Sequence, residues 1–438
     1  MRKLLALLLT MIPTWVLAAA PPNAPSAVIA NVIIVDGTGA PARKGAVRIA
    51  NGRIVDVGDV TPGSTEIVID GGGKTLAPGF IDTHSHHDEQ LAESRDLTPA
   101  ISQGITTIII GQDGMSETPL KDFFTQLEDA PASVNIGSYS GHNTLREKGM
   151  AAARRPATDD EIARMSKLLE DDIAAGALGL SSGLEYESGN FSTPAEVQAL
   201  AQVSARLGGR YSSHIRDEEG GLMSALQEVI DIGRQTHAPV HVSHLKIAAR
   251  KLWGSSDKVL KLLDDARASG VDVTADVYPY TYWQSTMRVM FPNKVFDDRK
   301  ELAATLERST PADGLYFVRY APDPSIVGST LAEIAKKRGT PAVETYIQLM
   351  KVALDYQVAH PNEEHIESII GFSMNENDVA RLLAWEHTNI CSDGAAFGHP
   401  RGHGTFPRVL GHYVREKKVL TLEQAIHKMT GLPAKHLG

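Results

Sequence analysis

Cysteine is nearly missing from this sequence. Its 438 residues contain one, Cys391, so no intrachain disulfide can staple the fold and no thiolate cluster can hold a metal. A metal site would have to be built from imidazoles and carboxylates, and 16 His are available for it. Basic excess is missing too: Lys and Arg number 43 against 53 Asp and Glu, a net charge of −10. A polyanion binder presents a basic face, so this balance argues against nucleic acid as a partner. There is no internal repeat and no low-complexity segment. What is present, 42% hydrophobic and 22% charged residues, is the composition of a globular protein with material for a large core.

The apolar run that stands out opens the chain. Arg2 and Lys3 precede Leu4 to Leu9, Met11 and Ile12, and Ala18, Ala19 and Ala20 offer small residues for cleavage. Pro13 interrupts the run, which falls short of the roughly 20 residues that a membrane span needs. Residues 1–20 read as an export signal removed near Ala20, with a periplasmic or secreted product and no integral membrane span.

From Pro21 to Pro78 the β-branched runs Val28-Ile29, Val32 to Val35, Ala46 to Ile49, Ile54 to Val57 and Ile67 to Ile69 alternate with Asp36-Gly37, Asn51-Gly52 and Gly71-Gly72-Gly73. That pattern predicts a small antiparallel β-domain over 21–78. Beyond it the period changes, and apolar strand-like runs alternate with capped helices. Thr158 and Glu161 form a capping box ahead of a helix closed by Gly176, and Thr193-Pro194 with Glu196 repeats the device. Asp257 precedes a helix ended by Gly270, and Leu422–Thr430 is the last helical segment. Repeated βα units over residues 79–438 predict a parallel α/β fold, either a barrel or a doubly wound sheet. Residues 287–366 break the cadence and read as an inserted subdomain.

The chemistry concentrates at the ends of predicted strands. In Pro78-Gly-Phe-Ile-Asp82-Thr-His84-Ser-His86-His87-Asp88, alternate residues of an extended strand share a face, so Asp82, His84, His86 and Asp88 project together and His87 points away. Two imidazoles at that spacing suit one divalent ion. His214, His244 and Asp393 end later strands, and Asp113 follows Ile105–Ile110 in Gly-Gln-Asp-Gly. Each alone is more often a core or loop residue. Converging at one end of a βα series, they make a metal and acid/base site.

On these residues the sequence resembles the N-acyl-D-amino-acid deacylases (D-aminoacylases) of the amidohydrolase superfamily. The matching motifs are 78–86, Gly-Leu-Glu-Tyr (183–186), Ser-His-Ile-Arg (213–216), Ser-His-Leu-Lys (243–246), Asp-Val-Tyr-Pro-Tyr (276–280), Ser-Asp-Gly (392–394), His-Pro-Arg (399–401) and Gly-Thr-Phe-Pro-Arg-Val-Leu-Gly (404–411). The resemblance implies a TIM-like (β/α)8 metal-dependent hydrolase barrel with a small N-terminal β-sandwich. It implies one or two zinc ions, with His84 and His86 at one position and His214 and His244 at the tight one. Asp393 then matches the catalytic carboxylate, and Lys246, Tyr278, Ser285 and Arg401 match the grip on the α-carboxylate of a small-molecule substrate. The activity implied is hydrolysis of N-acyl-D-amino acids to a carboxylate and a free D-amino acid.

Two departures stand against this pattern. The family's Gly-Asn-Cys-Gly is Gly-Gln-Asp-Gly here, so Asp113 replaces a thiolate ligand; a carboxylate can bind zinc at about 2.0–2.2 Å but is harder, which favours manganese more than a thiolate does. The family's C-terminal sandwich strands have no counterpart before Gly438. Two alternatives follow: an amidohydrolase acting on D-residue (di)peptides, or a non-catalytic binding protein on a degenerate barrel. A cyclic amide such as a hydantoin lacks the free carboxylate that Lys246 and Arg401 would hold. Arg288 would favour acidic side chains or merely open the insert, Trp253 would wall a pocket or pack, and Glu185 reads as structural rather than as a bridge between two metals.

Overall fold

The computed structural model describes residues 26–151 and 153–438; the expected export signal lies outside them. The chain divides at Pro78/Gly79 into two compact units.

In the first unit, β1 (Ala27–Ile34), β2 (Arg43–Ala50), β3 (Arg53–Gly58), β4 (Ile67–Asp70) and β5 (Thr75–Leu76) form one sheet, in which β3, β2, β1 and β4 are neighbours and β5 pairs with β1. Asn51 and Gly52 both have positive φ, 51° and 72°, the requirement of the tight turn that joins β2 to β3. The expectation of an antiparallel domain needs correcting. β4 and β5 run parallel to β1, each along part of its length. After β3 the loop 59–66 carries the chain across to the other edge of β1, so it re-enters in the same direction. Val32, Ile34 and Val47 form a small core on one face, and β1 to β5 make a single sheet.

The second unit starts with β6 (Phe80–Asp82), β7 (Ile105–Ile110) and β8 (Asn135–Ser138), paired parallel in that order. β9 (Ser140–Gly141), β10 (Gly179–Gly183), β11 (Arg210–His214), β12 (Val240–Val242) and β13 (Val273–Val277) continue in chain order. Tyr139 alone separates β8 from β9, so the two are one strand with a break. The buried Ile108–Ile110 end of β7 and the wholly buried β13 have the character of strands covered on both faces. Helices such as Asp159–Ala174 and Pro194–Arg206 cover the outside; the capping box at Thr158 forms as the sequence predicts, whereas at Thr193 only the hydroxyl caps the helix, because the Glu196 carboxylate is taken by His142, Arg146 and the Ala157 N–H.

After β13 the chain leaves this cadence. β14 (Tyr282–Ser285), β15 (Leu315–Tyr320) and β16 (Glu367–Phe372) make a separate antiparallel sheet in the order β14-β16-β15. The sheet packs with helices Arg299–Arg308, Leu331–Arg338 and Ala342–Ala359 around its own core of Phe291, Phe317, Tyr346 and Ile369. The insert thus runs wider than 287–366, because the first of its strands begins at Tyr282 and the last ends at Phe372. β17 (Thr388–Ile390) returns beside β13. Beyond it a parallel bridge joins Ser85 to Gly394, and His86 N–H donates to Gly394 O at 3.0 Å. The last strand therefore meets the first, giving eight parallel strands in the order of a (β/α)8 barrel. Helices Leu422–Met429 and Gly431–Leu437 end the chain.

Candidate active site and metal centre

The C-terminal ends of the barrel strands carry the predicted site. His84 lies two residues past β6, Asp113 three past β7, His214 at the end of β11, His244 two past β12 and Asp393 three past β17. Asp113, His244 and Asp393 have φ of 57°, 35° and 46°, a left-handed backbone that Asp and His tolerate better than most side chains. That turn re-aims each side chain from the strand into the barrel mouth. Gly114 makes the bend at Asp113 possible, since a Cβ there would sit 2.5 Å from Asn143 Oδ1 and 2.7 Å from Gly183 N.

Asp113 is the hub. Its Oδ1 is 3.2 Å from His244 Nε2, 3.5 Å from His84 Nε2 and 3.8 Å from His214 Nδ1, and its Oδ2 is 3.5 Å from His86 Nε2. Asp393 Oδ1 closes the other side, 3.6 Å from His84 Nε2 and 3.4 Å from His86 Nε2. The nitrogens face each other at short range, with 3.3 Å between His84 and His86 and 3.0 Å between His214 Nδ1 and His244 Nε2. His84, Asp113, His244 and Asp393 each offer a donor atom within 4.8 Å of the others, and all four are buried. Nitrogen and carboxylate donors turned inward on one point fit a divalent ion such as zinc, and equally manganese.

The charges follow from this crowding. Burial works against ionisation of Asp113, yet the imidazoles of His84 and His244 hold its carboxyl well below the usual range. Burial opposes the charge on Asp393 too, and Arg401 Nη1, 2.7 Å from Oδ2, with His244 pulls it down. His244 is pushed up to about 10: burial and Lys246 oppose its charge, but Asp113, Asp393 and Glu218 outweigh them. For His84 burial prevails and lowers it.

A second ring holds the first. Glu185 Oε2 is 3.0 Å from His214 Nε2, leaving Nδ1 to face Asp113. Glu218 Oε1 accepts from Lys246 Nζ at 2.6 Å and lies 3.1 Å from His244 Nδ1. Asp276 takes the His244 backbone N–H on one oxygen and faces His241 on the other at 2.9 Å. Such partners fix ring orientation and ligand basicity. Of the residues expected to project with His84 and His86, Asp82 instead accepts from Ser392 N–H at 2.7 Å, and Asp88 stays out of the cluster. The reason is that β6 ends at Asp82 and the chain turns into a short helix at His87.

The residues expected to bind a carboxylate also come together. The Arg401 guanidinium lies 4.6 Å from the Tyr278 ring centre and Lys246 Nζ 5.9 Å from it. Tyr278 OH and Arg401 Nε are buried without a hydrogen-bond partner. Lys246, Ser285, Arg401 and Asp393 line a recess of about 50 Å³, and Ser285, Arg401 and Asp393 also line the main cavity of about 730 Å³. Arg288 lines that cavity and pairs with Glu187 at 3.3 Å. Trp253 does not; its Nε1 donates to Ser373 O at 3.0 Å and its ring packs on Phe372. Glu218, Glu187 and Lys294 escaped the sequence reading. The signal for Glu218 was its place four residues past His214 in Ser-His-Ile-Arg-Asp-Glu; the other two had none.

The family model described as "Amidohydrolase family" matches residues 67–310. The N-acyl-D-glutamate deacylase of Alcaligenes xylosoxydans xylosoxydans is 35% identical over 433 residues, covering 92% of this chain and 82% of the relative. A D-aminoacylase solved to define the role of its binuclear metal centre superposes with a TM-score of 0.82 at 34% identity, covering 94% of this chain and 85% of the other. An N-acyl-D-glutamate deacylase from Bordetella bronchiseptica, solved with zinc and a phosphonate mimic of the tetrahedral intermediate, gives 0.82 at 33% identity with the same coverage. The chain belongs to the amidohydrolase family, within its D-aminoacylase and N-acyl-D-amino-acid deacylase branch.

Proposed function

We propose that this protein is a zinc-dependent hydrolase of N-acyl-D-amino acids, yielding a carboxylate and the free D-amino acid. The observation that carries the reading is the pairing of two features: an inward-facing His/Asp cluster, and beside it the buried Tyr278 OH and Arg401 Nε, which have no hydrogen-bond partner among the described residues. A ligand with a free carboxylate next to a scissile amide satisfies both.

When bound, the ion supplies Lewis acidity that polarises an amide carbonyl and makes water acidic enough to ionise near neutral pH. His84, His86, His214, His244 and Asp113 would hold one such ion or two. Asp393, ionised and turned toward the cluster, accepts the proton of the attacking water on Oδ1 and delivers it to the leaving amine. Arg401, Lys246 and Tyr278 bind the α-carboxylate and hold the amide against the cluster, so part of the barrier is met by positioning. Glu218 and Asp276 keep Lys246 and His244 in place. Two fixed points plus a side-chain pocket define a hand at the α-carbon.

The test is hydrolysis by the zinc-loaded protein of paired N-acetyl-D- and N-acetyl-L-amino acids, scored as released amine. Turnover of the D-series alone is expected; equal turnover of both, or of neither with zinc bound, defeats the reading. Export is proposed on Arg2, Lys3 and the apolar run that follows. Its check is the N-terminal sequence of the native protein, expected to begin near Pro21, together with its recovery in the periplasm or medium.

A further inference from the structure

Lys294 is 4% exposed and its side chain lines the main cavity. Among the described residues no carboxylate lies within ion-pairing distance of it. Burying an ammonium without a counter-ion is costly, and burial does push Lys294 down from its ordinary value, with Glu185 and Glu187 opposing this only through space. Two further cations share the neighbourhood. Arg154 donates to the Lys294 carbonyl at 3.0 Å, and the guanidinium groups of Arg154 and Arg288 both lie 5.8 Å from the Phe296 ring centre. One carboxylate pairs within the group, and it reaches only two of the three charges: Glu187 takes Arg154 on Oε1 at 3.0 Å and Arg288 on Oε2 at 3.3 Å. The other acidic residues on the cavity wall are engaged elsewhere or apart. Glu367 accepts the Met287 N–H at 2.6 Å, Glu89 is 4.0 Å from His365, and Glu147 makes no ion pair among the described residues.

The corner is distinct from the α-carboxylate grip, where Glu218 neutralises Lys246 and Asp393 neutralises Arg401. Its positive excess is left for a ligand, and both loci open on the same cavity. We infer that Lys294, with Arg288 and Arg154, forms a second anion-binding point that receives a carboxylate on the substrate's side chain, so that the preferred substrates are N-acyl derivatives of acidic D-amino acids. This rests on the deacylase reading and specifies the side chain within it. Lys294 makes a charge-assisted contact to the side-chain carboxylate, Arg288 orients it, and Glu187 holds the two arginines apart so that they do not collapse onto the ligand's place.

N-acetyl-D-glutamate and N-acetyl-D-glutamine differ in that charge and little in shape, so their kcat/KM ratio reads the corner directly. The wild type should favour glutamate, and K294M should cut the ratio on the order of 30-fold, the worth of one hydrogen bond to a charged group. R288Q, at a partly exposed position, should lower it less and serves if K294M does not fold. Calorimetry of the products D-glutamate and D-glutamine with the zinc-loaded protein separates the two readings. Tighter binding of D-glutamate that K294M abolishes upholds the corner even where no amide is cleaved. Turnover that favours the amide side chain, or a ratio that neither variant moves, overturns it and leaves the deacylase reading standing. Higher activity on N-succinyl-D-leucine than on N-acetyl-D-glutamate, lost in K294M, overturns it as well by assigning the corner to the acyl group.

Discussion

Replacing Asp393 by Asn removes one negative charge from the point where three functions meet. The side chain keeps its shape, so packing at a residue 5% exposed is preserved. A general acid/base contributes about 10²–10⁴ in rate, or about 3–5 kcal/mol of barrier, and D393N should lower kcat by that amount. Arg401, also 5% exposed, loses its ion-pair partner at 2.7 Å; breaking a buried pair costs about 3–5 kcal/mol of stability. A bound α-carboxylate would then take over as the counter-ion of Arg401, so the variant should bind the D-amino acid product on the order of tenfold more tightly. The assay combines steady-state release of amine, zinc per chain by elemental analysis, and calorimetry with product. A fall in kcat below tenfold with zinc retained refutes the acid/base role. Zinc lost in step with activity would make Asp393 a ligand instead.

Three further expectations concern neighbouring groups. D113N removes the hub of four imidazole contacts and should shed zinc on dialysis, whereas D113C should keep it; indifference of metal content to both changes refutes the ligand assignment. E218Q unpairs Lys246 and His244 Nδ1, and should weaken zinc binding 10–100-fold and raise KM more than it lowers kcat; an unchanged KM with folded protein would reduce Glu218 to packing. Burial raises the Glu367 carboxyl from 4.5 to about 7, so between those values the folded chain holds a proton that the unfolded chain has lost. Stability should therefore fall as pH rises through that window, by up to about 3 kcal/mol, and be level above it. Denaturant unfolding at pH 5 and pH 8 should show this fall in the wild type and a smaller one in E367Q; equal falls would assign it to other groups.

Strand ends were legible because two periodicities change at Pro78 and because ligand types recur after apolar runs. Spacing alone placed His84 beside His86, and βα counting brought Asp113, His214, His244 and Asp393 to one end of a barrel. Asp82 and Asp88 were misread because the strand period was extended past the residue where β6 stops. The parallel pairing of β4 and β5 was hidden because a β-branched run carries no direction; the length of loop 59–66 decides it. Lys294 was invisible for a different reason. Nothing local marks a lysine between Asn293 and Val295 as buried, and its meaning comes from Arg154, 140 residues away in sequence.

The left-handed backbone at Asp113, His244 and Asp393 puts stability and reactivity in opposition at three named positions. Each such conformation costs a non-glycine residue on the order of 1–3 kcal/mol, which glycine would not incur. A population of variants selected only for resistance to heat or protease should therefore lose the Asp and His side chains at these positions first, exchanging them for Gly or Asn, while the barrel around them persists. Sequencing such a population would show whether the fold, left to itself, drifts away from the chemistry it carries.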